Sequence, residues 1–466
     1  MKSDKIGVGV PEILIPDESV NMKKWAVLAC DQYTTNQKYW SDVEKFVGSS
    51  PSALHIMLPE IYLDSDTKEE RIEYAKTTMR QYIEDDVLKL LPEGFILVER
   101  TLHGAPRKGL MVMVDLDQYH YDVSRRPVIR ATEETLLERI PPRMEIRKGA
   151  DIEMPHIMLL MDDPDDTVIG PIWQIRDSLP VIYDFELMQN GGPIKGYFVE
   201  NRDILKNTLD AMERLPQRDG MTFCVGDGNH SLATAKAVWE HAKQVMSEKE
   251  AAESPLRYAL VELINLHDTA LTFEPIHRVL FNVNPTQCVQ YVVDKLNSTG
   301  ASSRLVFSKR RIAMQQSDSA ADENIFFTSK DSGGRIEITA PNHPLAVGML
   351  QPILEQFARE NPSSRLEYVH GTAELEELAK GYDTLGFFMP ALKKEDFFDT
   401  LAECGVLPKK TFSLGEADEK RFYLECRLLA QVEVVEHEPE EQRKPSVDQD
   451  EIEYLEEDDA TDMLDK

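Results

Sequence analysis

The chain has 466 residues, of which 42% are hydrophobic, so it can bury a large core. Its 83 acidic and 52 basic residues give a formal net charge of −31, which argues against nucleic-acid binding because such affinity depends on clustered Lys and Arg. The five cysteines form no CxxC pair, which argues against a disulfide scaffold or a structural zinc site and favours a reducing compartment.

The first twenty residues do not resemble a cleavable leader. Pro11, Glu12, Pro16, Asp17 and Glu18 stand where the centre of a signal peptide would be apolar. No apolar run approaches the roughly 18–20 residues that cross a bilayer. The sequence therefore predicts a cytoplasmic protein without a membrane partner.

Helix-like and strand-like segments alternate along the chain, which predicts a mixed α/β (α+β) fold with mixed sheets flanked by helices. The hydrophobic periodicity predicts helices over 67–91, 202–215, 231–243, 344–360, 371–381 and 393–405. It predicts strands over 94–102, 109–119, 221–225, 256–266, 384–390 and 420–434, the first two as a hairpin.

The pattern indicates one large unit over residues 1–432. A division into two lobes is left open near 216–220, where the turn-forming segment "PQRDG" separates a helix from a strand. Residues 433–466 contain 15 acidic and three basic residues, a net charge of −12. This segment has too few apolar groups to offset the entropy of ordering, so we predict a disordered acidic tail.

The segment "VGDGNHS" (225–231) joins a short strand to a helix and concentrates polar residues between glycines. Gly226 and Gly228 allow positive φ and close approach of the backbone. Asn229, His230 and Ser231 then lie in the first helical turn, where unpaired amides and the helix dipole favour an anion. The segment is a candidate phosphate-binding loop, or an ordinary helix cap.

Asp227 does not fit a simple anion site, since its carboxylate would repel a phosphate. Three interpretations remain: a metal ion bridges the carboxylate and the phosphate, the carboxylate is a base for a hydroxyl substrate, or it only fixes the loop. The histidine spacing contains no HExxH or HxH pair, so no metal site is predicted.

Other segments could complete such a site. Asp31 follows the apolar strand "WAVLA", and strand ends commonly bind ligands in α/β proteins. Glu133 is a candidate acid or base, or a favourable charge at a helix start. Arg130, His277 and Arg278 are candidate ligand contacts, and Arg278 could equally form an ion pair.

Several segments carry a resemblance to a known family. They are "KWAVLACDQYTTNQKYW" (24–40), "VIRATEETLLERIPPRMEIRKGADIEMPHIMLLMDDP" (128–164), "VGDGNHSLATAK" (225–236), "LTFEPIHRVLF" (271–281) and "VLPKKTFSL" (406–414). In this order they resemble the domain of unknown function numbered 1015 over most of residues 10–430.

The usual form of the loop in that family is Asp-Gly-His-His-Arg. His230 keeps the second histidine, whereas Asn229 and Ser231 replace the first histidine and the arginine. More distantly, the loop resembles the phosphate-binding corner of ParB/sulfiredoxin-like folds, which include nucleotide-binding proteins and free-serine kinases. That resemblance implies a ParB/sulfiredoxin-like core and a nucleotide or phosphorylated ligand near His230, with Arg278 as the candidate replacement for the missing guanidinium.

These observations lead to three hypotheses. The first is a small-molecule phosphotransferase acting on an amino-acid hydroxyl, with a nucleotide and Mg²⁺, in which Asp31, Asp227 or Glu133 acts as a base or orients the metal and His230 is a further candidate catalytic residue. The second is a ligand-binding regulator without turnover, which the changes at Asn229 and Ser231 favour. The third is an assembly protein that acts through its acidic tail. The oligomeric state is not predicted.

Overall fold

The computed structural model describes residues 1–102, 104–122, 124–135, 140–308 and 321–429, apart from the side chains of Asp31 and Leu102. Met1–Ala430 form one compact unit. The second unit, Gln431–Lys466, lies outside the described residues, and so does the predicted acidic tail.

The α-helices of the described residues are α1 Met22–Trp25, α2 Gln37–Val47, α3 Lys68–Glu84, α4 Ile140–Arg147, α5 Gly170–Gln174, α6 Arg202–Met212, α7 Asn229–Lys243, α8 Glu248–Glu253, α9 Pro285–Ser298, α10 Ala346–Glu360, α11 Thr372–Leu378 and α12 Phe397–Cys404. The strands are β1 Lys2–Ser3, β2 Val8–Gly9, β3 Leu14–Pro16, β4 Leu88–Leu90, β5 Phe95–Leu102, β6 Ala105–Asp115, β7 Tyr119–His120, β8 Ile129–Arg130, β9 Ile152–Glu153, β10 Met158–Met161, β11 Val181–Glu186, β12 Pro193–Val199, β13 Phe223–Asp227, β14 Tyr258–Asn265, β15 Phe273–Phe281, β16 Ser302–Ser308, β17 Glu323–Ser329, β18 Gly333–Thr339, β19 Arg365–His370, β20 Thr384–Phe388, β21 Phe412–Leu414 and β22 Arg427–Leu428.

The first sheet is mixed and has the order β11-β12-β5-β6-β14-β10-β13-β8-β7, with β1 and β2 attached through β6. β10 runs parallel to β14, and β8 runs parallel to both β13 and β7, whereas the other pairs are antiparallel. Mixed α/β architecture, as predicted, is therefore confirmed.

Both faces of this sheet are covered, as strand alternation requires. Phe95 and Leu97 point to a core that includes Trp239 of α7. Ile96 and Val98 point to the opposite core, which includes Trp25 of α1. The sheet is thus a central layer between helices.

The second sheet is antiparallel and has the order β16-β18-β17-β20-β15-β19. Its core contains apolar side chains of α9 and α10. β15 also pairs with β21 through Phe273, Glu274 and Pro275. The first and second sheets meet through a separate apolar cluster that includes Leu160, Phe273 and Leu414.

Most predicted elements lie where the sequence placed them. The hairpin forms as β5 and β6, the predicted strands over 221–225, 256–266 and 384–390 form as β13, β14 and β20, and the predicted helices form as α3, α6, α7, α10, α11 and α12. α3 ends at Glu84 rather than at residue 91, because Leu88–Leu90 pair with β3 instead.

The long strand predicted over 420–434 is wrong. The described part contains only the short strand β22, with isolated bridges from Tyr423 to Val27 and from Cys426 to Leu14. The alternation that suggested a strand instead places Arg421 and Glu425 in buried ion pairs. Residues 430–434 lie outside the described residues.

Residues 216–220 lie between α6 and β13. Strands of the first sheet precede and follow this segment. A division into lobes at this point stays a prediction, as does the ParB/sulfiredoxin-like core.

Candidate functional site

A cleft of about 570 Å³ lies between the first sheet, the edge of the second sheet and the C-terminal segment. The first sheet contributes the β13–α7 corner, and the second contributes Tyr368 and His370 of β19. The segment after β20 contributes Lys409, Lys410 and Lys420. The cleft is therefore built from parts of the chain that are far apart in sequence.

The β13–α7 corner turns within one residue, Gly228, whose φ of 84° and ψ of 27° are left-handed. A Cβ atom at Gly228 would lie 3.0 Å from Cγ1 and 3.1 Å from Cα of Ile157. A Cβ atom at Gly226 would lie 2.6 Å from Cδ1 of Leu414. The glycines therefore permit both the conformation and the close packing of the corner.

The N-terminus of α7 faces the cleft without a capping side chain. Asn229, His230 and Ser231 form its first turn, and all three residues line the cleft. The free amides of a first turn and the helix dipole attract negative charge. This end of the cleft is therefore suited to an anion.

Asp227 is held by its own corner and by a lysine. Its Oδ1 accepts a hydrogen bond of 2.8 Å from the amide of Gly228, and its Oδ2 lies 3.2 Å from Nζ of Lys420. Lys420 is buried and also donates to Oγ of Ser413 at 3.0 Å. The carboxylate thus fixes the loop and positions an ammonium group, and its charge is compensated.

The side chain of Asn229 forms two hydrogen bonds with Thr132. Its Oδ1 accepts from the amide of Thr132 at 3.0 Å, and its Nδ2 donates to Oγ1 of the same residue at 3.0 Å. Thr132 in turn donates to the carbonyl of Val225 at 2.6 Å. Asn229 therefore joins the segment before Glu133 to the corner, and its side chain is oriented by Thr132.

Replacing Asn229 by alanine should lower the free energy of unfolding by about 1–3 kcal/mol, because the buried partner groups of Thr132 lose their bonds. Urea denaturation followed by tryptophan fluorescence measures this loss. Asn207→Ala is the matched control, since Asn207 is exposed on α6, and its effect should stay within about 0.5 kcal/mol. Equal losses in the two variants would contradict the assigned role of Asn229.

Ser231 and two aromatic residues form a chain of hydrogen bonds in the cleft. Oγ of Ser231 lies 3.3 Å from Nε2 of His156, and Nδ1 of His156 lies 2.7 Å from the hydroxyl of Tyr423. His230 lines the cleft beside them. Its carbonyl accepts a bond of 2.7 Å from Oγ1 of Thr234.

Asp31 and Glu133 lie near the same cleft. Asp31 begins the 3₁₀ turn Asp31–Tyr33, whose neighbours Cys30 and Gln32 line the cleft, but its side chain lies outside the described atoms. Glu133 lines the cleft, and its backbone forms a bridge with Leu407. Burial raises the pKa of Cys30 to about 12, so this neighbour is a thiol at neutral pH.

Three predicted ligand contacts are absent from the cleft lining. Arg130 is 3% exposed and bonds the backbone and carboxylate of Asp219. His277 is fully buried, and its Nδ1 accepts from the amide of Met389. These two side chains lie within the protein interior, which corrects their placement in a ligand site.

Arg278 is also fully buried, which corrects the expectation that it reaches the ligand. Its guanidinium donates to Oε1 of Gln351 and to the carbonyl of Lys409, both at 2.9 Å. It also lies 5.3 Å from the ring centre of Tyr368. Arg278 therefore contacts the cleft residues Lys409 and Tyr368 from the protein interior and helps to position them.

The floor of the cleft contains a buried ionic network centred on Arg421. Its guanidinium bonds Oε2 of Glu262 at 2.6 Å and the carboxylate of Glu425. The hydroxyl of Tyr183 donates to Glu425 at 2.5 Å, and Arg107 lies 3.9 Å from Glu262. This network fixes the segment that carries Lys420 and Tyr423.

Comparison with known families shows which family the chain belongs to. The family described as "Protein of unknown function (DUF1015)" matches residues 14–353, which is more than half of the sequence. The chain belongs to the DUF1015 family. The family description assigns no reaction, and no curated protein matches the chain.

Solved structures that resemble this DUF1015 chain do so weakly. Free serine kinase in complex with AMP is 13% identical, covers 67% of this chain and 90% of its own, and has a TM-score of 0.37. A conserved hypothetical protein from Pyrococcus furiosus is 13% identical, with coverage of 67% and 90% and a TM-score of 0.33. SbnI with a C-terminal truncation, from Staphylococcus aureus, is 11% identical, with coverage of 66% and 82% and a TM-score of 0.32. Likeness this weak transfers neither an activity nor a ligand.

Sequence reasoning missed several cleft residues of this DUF1015 protein, namely His156, Lys409, Lys410, Lys420 and Tyr423. Four of them follow residue 353, where the family match ends. Two signals were available, because the lysine pair in "VLPKKTFSL" and His156 in the segment 128–164 both lie in segments that carry the resemblance to DUF1015. Their partners could not be identified without the fold.

The described residues contain neither a helix long and apolar enough to cross a membrane nor a group of three or more His, Cys, Asp or Glu side chains arranged to hold a metal ion.

Proposed function

We propose that the cleft binds a phosphorylated small molecule, such as a nucleotide, with a phosphate at the N-terminus of α7. The observation that carries this proposal is the uncapped first turn, Asn229 to Ser231, which opens into the cleft beside Lys420. Helix N-termini with free amides bind phosphate through both hydrogen bonds and the dipole.

The charge of the cleft lining supports the same ligand class. Its basic side chains are Arg143, Arg147, Lys409, Lys410, Lys420 and Arg421, and its acidic side chains are Glu60, Glu133, Glu134, Glu153 and Asp227. The two sets nearly balance, at six basic against five acidic side chains, whereas the whole chain has a net charge of −31. The cleft lining is therefore less acidic than the chain as a whole, which lowers the electrostatic cost of binding an anion there.

The size of the cleft is also suitable. Ligand sites commonly occupy about 300–1,000 Å³, and about 570 Å³ is available here. The ammonium of Lys409 is exposed and lies 5.9 Å from the ring centre of Tyr368. A second anionic or aromatic part of the ligand can therefore contact Lys409 and Tyr368.

Phosphoryl transfer to a hydroxyl of a small molecule is the reaction that we propose. A phosphate at α7 would lie among positive groups that stabilise the charge of the transferring group. Asp31, Glu133 and His230 remain the candidate acid–base groups of our proposal. Asp227 is assigned to positioning because it is paired with Lys420.

A ligand-binding regulator without turnover is the second candidate. In place of the arginine of the usual family loop stands Ser231, and the side chain of Asn229 is directed to Thr132. Both features reduce the number of side chains that could act on a transferring phosphoryl group. An assay of nucleotide consumption distinguishes this candidate from the transferase.

Titration calorimetry at low ionic strength with inorganic phosphate, AMP, ADP and ATP, with and without Mg²⁺, tests the proposal. At least one of these probes should bind, and Lys420→Met should weaken its binding by about 10–100-fold, as expected for a lost charge-assisted hydrogen bond. Lys249→Met, on the exposed surface of α8, should leave the affinity unchanged.

Circular dichroism of both variants checks that the fold is retained. Absence of binding by every probe would contradict a phosphate site. So would equal affinities for the wild type and a folded Lys420→Met protein.

A further inference from the structure

Ser231, His156 and Tyr423 form a continuous hydrogen-bonded chain that phosphate binding does not require. The distances are 3.3 Å from Oγ of Ser231 to Nε2 of His156 and 2.7 Å from Nδ1 of His156 to the hydroxyl of Tyr423. All three side chains line the cleft. A hydroxyl, an imidazole and an orienting group in series are the usual parts of an activated nucleophile.

Each member of the chain is positioned by the surrounding backbone. Ser231 lies in the first turn of α7, and His156 follows Pro155, whose carbonyl accepts from Nε of Arg421 at 3.3 Å. Tyr423 exchanges two backbone hydrogen bonds with Val27, of 2.8 and 3.3 Å. The rings of His156 and Tyr423 are 5.0 Å apart between centres. The imidazole is thus held on both nitrogens and on one face.

The arrangement is compatible with one productive tautomer. If Nδ1 of His156 carries the ring proton and donates a hydrogen bond to the oxygen of Tyr423, then the lone pair of Nε2 faces Ser231 and can accept its proton. Burial raises the pKa of Tyr423 above its ordinary value, so the tyrosine is an uncharged phenol at neutral pH and its oxygen can accept. A distance of 3.3 Å is within the range for a catalytic pair before substrate binds.

We propose that Ser231 is a nucleophile that accepts a phosphoryl group from a phosphoanhydride, with His156 as its base and Tyr423 as a positioning residue. The step rests on the proposed function, because the first-turn amides of α7 that would bind the phosphate would also stabilise the charge developing on it. The proposed phosphoryl transfer would then proceed through a covalent intermediate, a phosphorylated Ser231.

Oγ of Ser231 forms a bond to phosphorus while the bond from phosphorus to the bridging oxygen breaks, and the leaving phosphate or nucleoside phosphate departs with that electron pair. The proton of Ser231 passes to Nε2 of His156. Water or an acceptor hydroxyl then attacks phosphorus and gives up its own proton to one of the candidate bases Asp31 and Glu133. The bond from phosphorus to Oγ breaks with its electron pair on Oγ, and His156 returns the proton to Oγ.

An alkyl fluorophosphonate tests the nucleophile without knowledge of the natural substrate, because Oγ attack on its phosphorus expels fluoride and leaves a stable ester. Peptide mass mapping of the full chain should locate this ester on Ser231. His156→Gln should slow labelling by about 100-fold or more, the usual contribution of a general base. Tyr423→Phe, which retains the ring, should slow it by about tenfold and change its pH profile.

Ser363→Ala is the matched control, since Ser363 is exposed and does not line the cleft, and its loss should leave the labelling rate unchanged. Ser231→Ala should abolish the ester, with circular dichroism showing that the variant is folded. Phosphate titration of the wild type is run in parallel. Phosphate binding without labelling of Ser231, or labelling at the same rate in His156→Gln, would overturn the nucleophile and leave the binding site standing. Labelling without phosphate binding would overturn the binding site instead.

Discussion

Replacing Arg421 by methionine should lower the free energy of unfolding at pH 7 by about 3–5 kcal/mol, the usual cost of leaving a buried charge without its partner. The side chain of Arg421 is 2% exposed, and those of Glu262 and Glu425 are 1% and 0% exposed. Methionine fills a similar volume but cannot compensate the two carboxylates. Urea denaturation followed by tryptophan fluorescence measures the loss.

The same variant should show a characteristic dependence on pH. Burial acts to raise the pKa of Glu262, but the charges of Arg421 and Arg107 outweigh it, so its pKa lies below the ordinary value of 4.5. In the wild type this contribution is present above pH 4.5 and is lost as the pH falls through the lowered pKa. In Arg421→Met the pKa of Glu262 rises, so protonation relieves the unpaired charge and the deficit should be smaller at pH 5 than at pH 7.

Arg365→Met is the matched control. Its guanidinium pairs with Glu367 at 3.1 Å, but the two side chains are 63% and 48% exposed. Exposed pairs of this kind contribute about 0–1 kcal/mol. If Arg421→Met cost no more than Arg365→Met, the buried network would not stabilise the floor of the cleft.

Replacing Gly228 by alanine should lower the free energy of unfolding by about 2–5 kcal/mol. The left-handed φ of 84° costs a residue with a Cβ atom about 1–2 kcal/mol, and the contacts with Ile157 add an overpacking cost of about 1–3 kcal/mol. The backbone of Ile157 cannot move without disturbing β10, which follows it directly. Thermal and urea denaturation measure the effect.

Gly300→Ala separates the two causes. Gly300 has a φ of 96°, but a Cβ atom there would meet nothing within 4 Å. This control should therefore show only the conformational cost, and Gly228→Ala should exceed it. Similar losses in both variants would mean that the corner can shift away from Ile157, and the close packing assigned to it would be wrong.

Local patterns predicted the β13–α7 corner because all of its determinants are adjacent in sequence. A short apolar strand, two glycines and a helix with Leu232, Ala235 and Trp239 on one face are sufficient, and all three side chains are buried in the structure. The same reasoning failed over 420–434. There, alternating residues enter an ionic network whose partners, such as Glu262, lie more than 150 residues away.

The candidate ligand contacts show the same limit. The sequence predicts Arg278 as a ligand contact because it is a basic residue in a segment that resembles the family. In the structure, the side chain of Arg278 points from β15 into the interior and bonds Gln351. Lys420 belongs to no motif in the sequence, yet its Nζ lies 3.2 Å from Oδ2 of Asp227. Strand register and the path of the chain decide that Lys420 reaches the cleft and that Arg278 does not. Neither the register nor the chain path can be inferred from the neighbouring residues in sequence.

The sequence by itself determined the membership of the family, the mixed α/β class and the presence of a helix start directly after two glycines. These properties follow from short-range periodicity, from glycine conformations and from motif order. Only the tertiary structure decided which side chains meet that helix start. His156 and Tyr423 are separated by 267 residues, and their contact exists because the C-terminal segment returns beside the first sheet and is held there by buried charge pairs.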